Sequence, residues 1–134
     1  QHLDAWNQQR QQIAERYQRL LAPIPGLVLP QSTARGMSVW NQYTLRVLDT
    51  DPTAETPCRD RLRSHLQEQG VASMVYYPLC LHLQPAYQHL GYQAGQFPNA
   101  EQASREVLSL PMFPELTADQ QQQVVYNLKD CLCS

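Results

Sequence analysis

The stretch Tyr76-Tyr77-Pro78-Leu79-Cys80-Leu81-His82-Leu83-Gln84-Pro85-Ala86-Tyr87 holds the densest set of polar and aromatic groups able to bind a ligand. It follows an apolar run, and loops at the ends of strands are where ligand sites gather. The hydroxyls of Tyr76 and Tyr77 and the imidazole of His82 can line a pocket for a polar ring such as a sugar. The same residues also have a purely structural reading. In it, Tyr76 and Tyr77 straddle a sheet with one ring packed inward, and His82 satisfies a loop carbonyl. Cys80 beside His82 suggests a thiol–imidazole pair, but residues two apart in a loop seldom point at one another, and no third group orients them. A packed, inert Cys80 is the expectation.

Other chemistries find less support. His82, His89 and the four cysteines Cys58, Cys80, Cys131 and Cys133 are the available soft metal ligands, yet no pair has CxxC or HxxxH spacing. No zinc site is expected. The five glycines are scattered singly, with no phosphate-cradling loop. Trp40 and Trp6 read as packing residues. Arg46 lies within an alternating segment and reads as solvated or ion-paired, with anion binding as the sharper alternative.

Nine of the ten cations among the 134 residues are arginine, and Lys129 is the one lysine. Lysine-centred covalent chemistry is therefore excluded from the body of the chain. The net charge of −2 carries no nucleic-acid footprint. Charged residues make up 16%, below the usual proportion of about 25%. Nineteen glutamines take their place. No apolar run is long enough to span a membrane. The start, Gln1-His2-Leu3-Asp4, has neither methionine nor the features of a signal peptide, and it reads as the cut end of something longer. The sparse cysteines suggest reduced thiols in a cytoplasmic protein.

These groups need elements to hold them. Leu3, Trp6, Ile13, Tyr17, Leu20 and Leu21 form one helical stripe, stopped by Pro23, Pro25 and Gly26. Leu27–Leu29 is a short strand. Ser38–Leu48 alternates with period two, placing Val39, Tyr43, Leu45 and Val47 on one face. Thr56-Pro57 offers an N-cap and first-turn proline for a helix carrying Cys58, Leu62 and Leu66 up to Gly70. Val71–Tyr76 follows as a strand, making residues 38–76 a strand–helix–strand unit. Residues 78–85 read as an ordered loop, and Pro85–Leu90 as a brief helix ending at Gly91. Pro98-Asn99 opens another helix, with Ala100, Ala103 and Val107 inward, and Leu108–Pro111 is a short strand. Thr117 and Gln120 form a capping box for a closing helix that buries Val124, Val125, Leu128 and Leu132. The pattern argues for one small α+β domain, with a sheet covered by helices.

Two runs then carry a resemblance. VYYPLCLHLQPAYQHLGY and FPNAEQASREVLSLPMFPELTADQQQQVV resemble the C-terminal part of the DegT/DnrJ/StrS aminotransferases, pyridoxal-phosphate enzymes that place amino groups on nucleotide-activated sugars. Tyr77, His82, Gln84, Pro85, Tyr87, Pro98, Ala100, Glu101, Leu108–Pro111, Pro114, Leu116 and Thr117 match the family pattern. SVWNQYTLRV resembles the preceding strand, and the opening helix resembles the link from the large domain. The similarity covers Leu3 to Leu132. Tyr76 replaces a usual histidine, and Leu79-Cys80 stand where proline is common, which leaves sugar preference open.

The resemblance implies a mostly antiparallel sheet covered by helices, like the small domain of fold-type I aminotransferases. It implies one C-terminal small domain over residues 1–134, with residues 1–22 as linking helix and the large cofactor-binding domain absent. In such enzymes that large domain supplies the Schiff-base lysine. The cofactor, pyridoxal phosphate, is then expected in the parent enzyme and not bound by this chain, which alone is expected to be inactive and to contribute no catalytic residue. Tyr76, Tyr77 and His82 are the implied substrate-binding residues. The implied partners are a nucleotide sugar, an amino donor, the large domain and a second copy in a homodimer. A non-catalytic binding or regulatory module that keeps the same fold is the alternative. Apolar surface at the domain boundary is expected around Trp6.

Overall fold

The chain is described by a computed structural model over residues 2–32, 36–49, 53 and 55–133. Helix α1, Leu3–Leu21, buries Ile13, Ala14, Tyr17 and Leu21, spaced to share one face. Its first turns do not follow that face inward: Leu3 and Trp6 are exposed. Beyond Pro23 and Pro25, Gly26 adopts φ 79°, a left-handed turn that leads into β1, Leu27–Val28.

Strand β2, Tyr43–Val47, buries Tyr43, Leu45 and Val47 on one face, as the alternation requires. It is shorter than the alternation suggests, because Trp40 takes φ 48° and interrupts the extended chain. Val39 is exposed as a result. Helix α2 spans Cys58–Glu68 and buries Leu62 and Leu66. Its cap is not Thr56. Pro57 occupies the cap position with no side-chain bond, and the Cys58 N–H instead donates to Asp49 Oδ1 at 3.0 Å. Asp49 also accepts from Arg105 at 3.1 Å, tying the link after β2 to the third helix.

The strand expected over residues 71–76 does not form. Helix α3, Pro98–Glu106, runs directly into β3, Val107–Leu110. The sheet order is β1-β2-β3, with both pairs antiparallel. β2 therefore has a partner on each edge, and no parallel strand can pair beside it to complete a strand–helix–strand unit. Residues 71–76 lie along the outer edge of β3 instead, touching it through the single Met74–Ser109 bridge. Within the loop that follows, Leu81–Leu83 forms a 3₁₀ turn, and Pro85–Leu90 is also 3₁₀, ended by Gly91 at φ 75°.

Helix α4, Ala118–Cys133, begins with the expected capping box. The Thr117 N–H donates to Gln120 Oε1 at 3.0 Å, and the Gln120 N–H to Thr117 Oγ1 at 3.2 Å. Val124 and Leu128 are buried, with Val125 and Leu132 packed partly against them. The glutamine run is more than a solvated face. Gln121 is fully buried, donates to the Ile13 carbonyl at 2.9 Å and accepts from Arg16 at 2.6 Å, joining α4 to α1. Helices α1, α2 and α4 and the inner face of the sheet enclose one apolar core.

Candidate functional site

Where α3 meets β3, the segment from Tyr76 to Gln84 folds over the helix and encloses a cavity of about 580 Å³. Ala100, Ala103 and Ser104 of α3 line it together with Val107, while Tyr76, Tyr77 and His82 line it from the segment. The short side chains of α3 leave the room. Sequence reading placed Ala100, Ala103 and Val107 inward; they face this cavity, and Ala100 is exposed.

The structure brings all three sequence-identified residues to that cavity. Neither tyrosine packs into the core: Tyr76 is 39% and Tyr77 73% exposed, their rings set edge to face with centroids 5.9 Å apart. The reading in which one ring packs inward is thus corrected. Residues 71–76 run along the outer edge of β3 and meet it at Met74, so the tyrosines that follow lie beyond the sheet rather than across it. His82 does not satisfy a loop carbonyl either. Its Nε2 lies 3.0 Å from Glu101 Oε1, and its ring centre 4.7 Å from that of Phe97. Cys80 is buried in the cavity wall. Among the described residues no hydrogen bond joins it to His82.

Glu101 is the functional candidate that residue chemistry alone passed over. It stands in the first turn of α3 and reaches back over the helix start. The Gly95 N–H donates to both carboxylate oxygens at 2.9 Å, and the Phe97 N–H to Oε1 at 3.2 Å. The Gly95 N–H, opposed by partial desolvation and assisted by the Phe97 N–H and His82, holds the Glu101 carboxyl below its ordinary 4.5. An acid residue in the first turn after Phe97-Pro98 is a recognisable signal, because it can satisfy an amide the helix leaves unpaired.

This arrangement sets a pH dependence. A carboxyl depressed in the folded state contributes stability that is fully present above its unfolded value and is lost as pH falls through the folded value. Amide hydrogen exchange at Gly95 and Phe97, corrected for intrinsic rates, should therefore accelerate as pH drops below about 4.5, the ordinary value for Glu101. Glu101→Gln should remove most of that dependence. Exchange that stays flat across the range would show that the carboxylate does not hold the turn.

Arg46, the candidate anion binder, is paired with Glu106 at 2.5 Å. Trp40 packs against Tyr43 with ring centres 5.6 Å apart. Among the described residues, no three metal-ligating side chains converge. No lysine lines the cavity, and Lys129 borders a separate depression with Tyr126, Asp130 and Cys133.

Fold and cavity together define a small α+β domain with a half-open, largely apolar cavity that carries Tyr76, Tyr77 and His82 at the junction of α3 and β3. Residues 1–129 match the model of the DegT/DnrJ/EryC1/StrS aminotransferase family, and the chain belongs to that family. It is 48% identical over 131 residues to the pleiotropic regulatory protein of Geobacillus stearothermophilus, covering 96% of this chain and 33% of that protein. It is 39% identical over 129 residues to the dTDP-3-amino-3,4,6-trideoxy-alpha-D-glucose transaminase of Streptomyces venezuelae, covering 96% and 32%. The crystal structure of S. venezuelae DesV in complex with a ketimine intermediate superposes with a TM-score of 0.85 at 36% identity, over 96% of this chain and 32% of that one. The chain thus spans about a third of the length of the curated relatives it matches, aligning with the C-terminal part of sugar aminotransferases. Members of the family are pyridoxal-phosphate-dependent aminotransferases. No helix of the described residues is long and apolar enough to cross a membrane.

Proposed function

We propose that this chain forms the substrate-side wall of a nucleotide-sugar aminotransferase, with Tyr76, Tyr77 and His82 facing the sugar. One observation carries the reading. The cavity presents two phenolic hydroxyls and a carboxylate-paired imidazole above a floor of small residues, in a chain whose single lysine stands elsewhere. Such a site can grip a hydroxylated ring but cannot anchor the cofactor covalently. The cofactor lysine then belongs to a part of the protein outside these 134 residues, and these residues alone do not transaminate. Helix α1 is the link to that part, and exposed Leu3 and Trp6 at its start are the surface it covers. The whole protein works on a nucleotide sugar and an amino donor, as a homodimer in the cytoplasm.

Borohydride reduction of the whole protein with its cofactor, followed by peptide mapping, tests this. The label is expected on a lysine outside these residues. A label on Lys129 would overturn the assignment. A second reading, a regulatory module without catalysis, is favoured by the name of the 48% identical relative. A whole protein that takes no label on any lysine would support that second reading.

A further inference from the structure

We infer that Glu101 is a positioning residue that fixes the tautomer of His82, leaving Nδ1 as an acceptor for a hydroxyl donor of the ligand in the cavity. This rests on the sugar-facing reading of that cavity and specifies the chemistry it takes.

Glu101 meets two backbone N–H groups, those of Gly95 and Phe97, and neither can do anything but donate. A carboxylate that satisfies them is ionised and offers acceptors alone. The 3.0 Å contact between Glu101 Oε1 and His82 Nε2 then has one consistent assignment, with Nε2–H as donor. A neutral imidazole protonated at Nε2 carries its lone pair on Nδ1. Among the described residues Nδ1 has no hydrogen-bond partner, although the His82 side chain is only 9% exposed and lines the cavity. Nδ1 is not one of the sealed unpaired atoms of the chain, so solvent reaches it through the cavity, and a ligand hydroxyl that displaces that solvent supplies the donor in its place. The Phe97 ring beside the imidazole limits its rotation out of this arrangement.

The consequence is selective. A sugar hydroxyl can donate to Nδ1. A phosphate oxygen cannot, and it would also meet the negative charge of Glu101. The cavity therefore holds the sugar ring, and the phosphates of a nucleotide sugar lie away from His82.

The tautomer can be read directly. Long-range proton–nitrogen correlation on the full chain labelled with ¹⁵N-histidine reports which ring nitrogen bears hydrogen. The pH should lie well above the ordinary histidine value of about 6.5. His82→Gln identifies the resonance among the four histidines. Protonated Nε2 and bare Nδ1 are expected in the wild-type chain. Glu101→Ala, which removes the acceptor, should raise the fraction of hydrogen on Nδ1, and Glu101→Gln, whose carbonyl oxygen can take the Oε1 place opposite the Phe97 N–H and Nε2–H, should keep the wild-type state. A wild-type His82 protonated at Nδ1 overturns the inference without any variant, and so does a tautomer unmoved by Glu101→Ala. Adding a simple methyl hexoside should shift the Nδ1 resonance, whereas inorganic phosphate should not. The reverse pattern contradicts the acceptor assignment. No response to the hexoside anywhere in the cavity, with the tautomer as expected, would instead sink the sugar-facing reading and the ligand half of this inference, leaving the role of Glu101 standing.

Discussion

Replacing Tyr17 with alanine is expected to destabilise the chain by about 3–5 kcal/mol, the usual cost of truncating a buried aromatic ring. Tyr17 is fully buried, its ring centre 5.0 Å from that of Tyr43, and its hydroxyl donates to the Pro111 carbonyl at 3.1 Å. One side chain therefore ties α1 to β2 and to the residue following β3. Burial first, and the neighbouring Tyr43 second, push the Tyr17 hydroxyl above its ordinary 10.0, so it acts here as a neutral donor. Alanine leaves a cavity between three elements and an unpaired carbonyl. Tyr17→Phe keeps the ring and loses the bond alone, at about 1 kcal/mol. Urea unfolding measures both, with the midpoint falling and the slope unchanged. Total stabilities of domains lie at about 5–15 kcal/mol, so the alanine variant would forfeit a large share. A Tyr17→Ala cost no greater than that of Tyr17→Phe would show that the ring does not anchor α1.

His82→Ala is expected to lower sugar turnover of the whole protein by about 10- to 100-fold, while shifting the unfolding free energy by less than about 1 kcal/mol. The catalytic figure corresponds to about 1.4–2.8 kcal/mol, the range of one well-placed hydrogen bond to a ligand. The small structural effect follows from what remains. Glu101 keeps the Gly95 and Phe97 amides, and Leu62, Leu66 and Leu108, which form the core beneath, are untouched. The visible absorbance of the bound cofactor should be unchanged, because the cavity lining has no lysine and His82→Ala removes no amine. A variant that unfolds, or one that turns over sugar normally, would return His82 to a structural role or to none.

The architecture was legible where local rules act alone. Apolar spacing located α1, α2 and α4, Gly91 marked the end of its turn, and the Thr117–Gln120 box opened α4. Errors arose where pairing is decided at a distance. Val71–Tyr76 has the composition of a strand, but it lies along the outer edge of β3 and pairs there only through Met74. The cap of α2 comes from Asp49, nine residues before Cys58 and beyond the reach of a local capping pattern. Gln121 is buried because it serves an α1 carbonyl 108 positions away, a pairing no local pattern shows.

The site was legible in part, for the same reason. A dense segment pointed to Tyr76, Tyr77 and His82, and all three reach one cavity. The partner of His82 did not emerge from residue chemistry, since Glu101 lies nineteen residues away and meets it only because α3 folds beneath the segment. Resemblance marked Glu101 as a match without giving it work. The geometry gives it three donors to hold.

The central claim is that this cavity faces a sugar. Titrating the whole protein with a nucleotide sugar while following the side-chain resonances of Tyr77, His82 and Phe97 against those of Tyr126 and Lys129 tests it most directly. The expected result is saturable change at the first three residues, with the two on α4 silent. Saturable binding that leaves Tyr77 and His82 unmoved would contradict it.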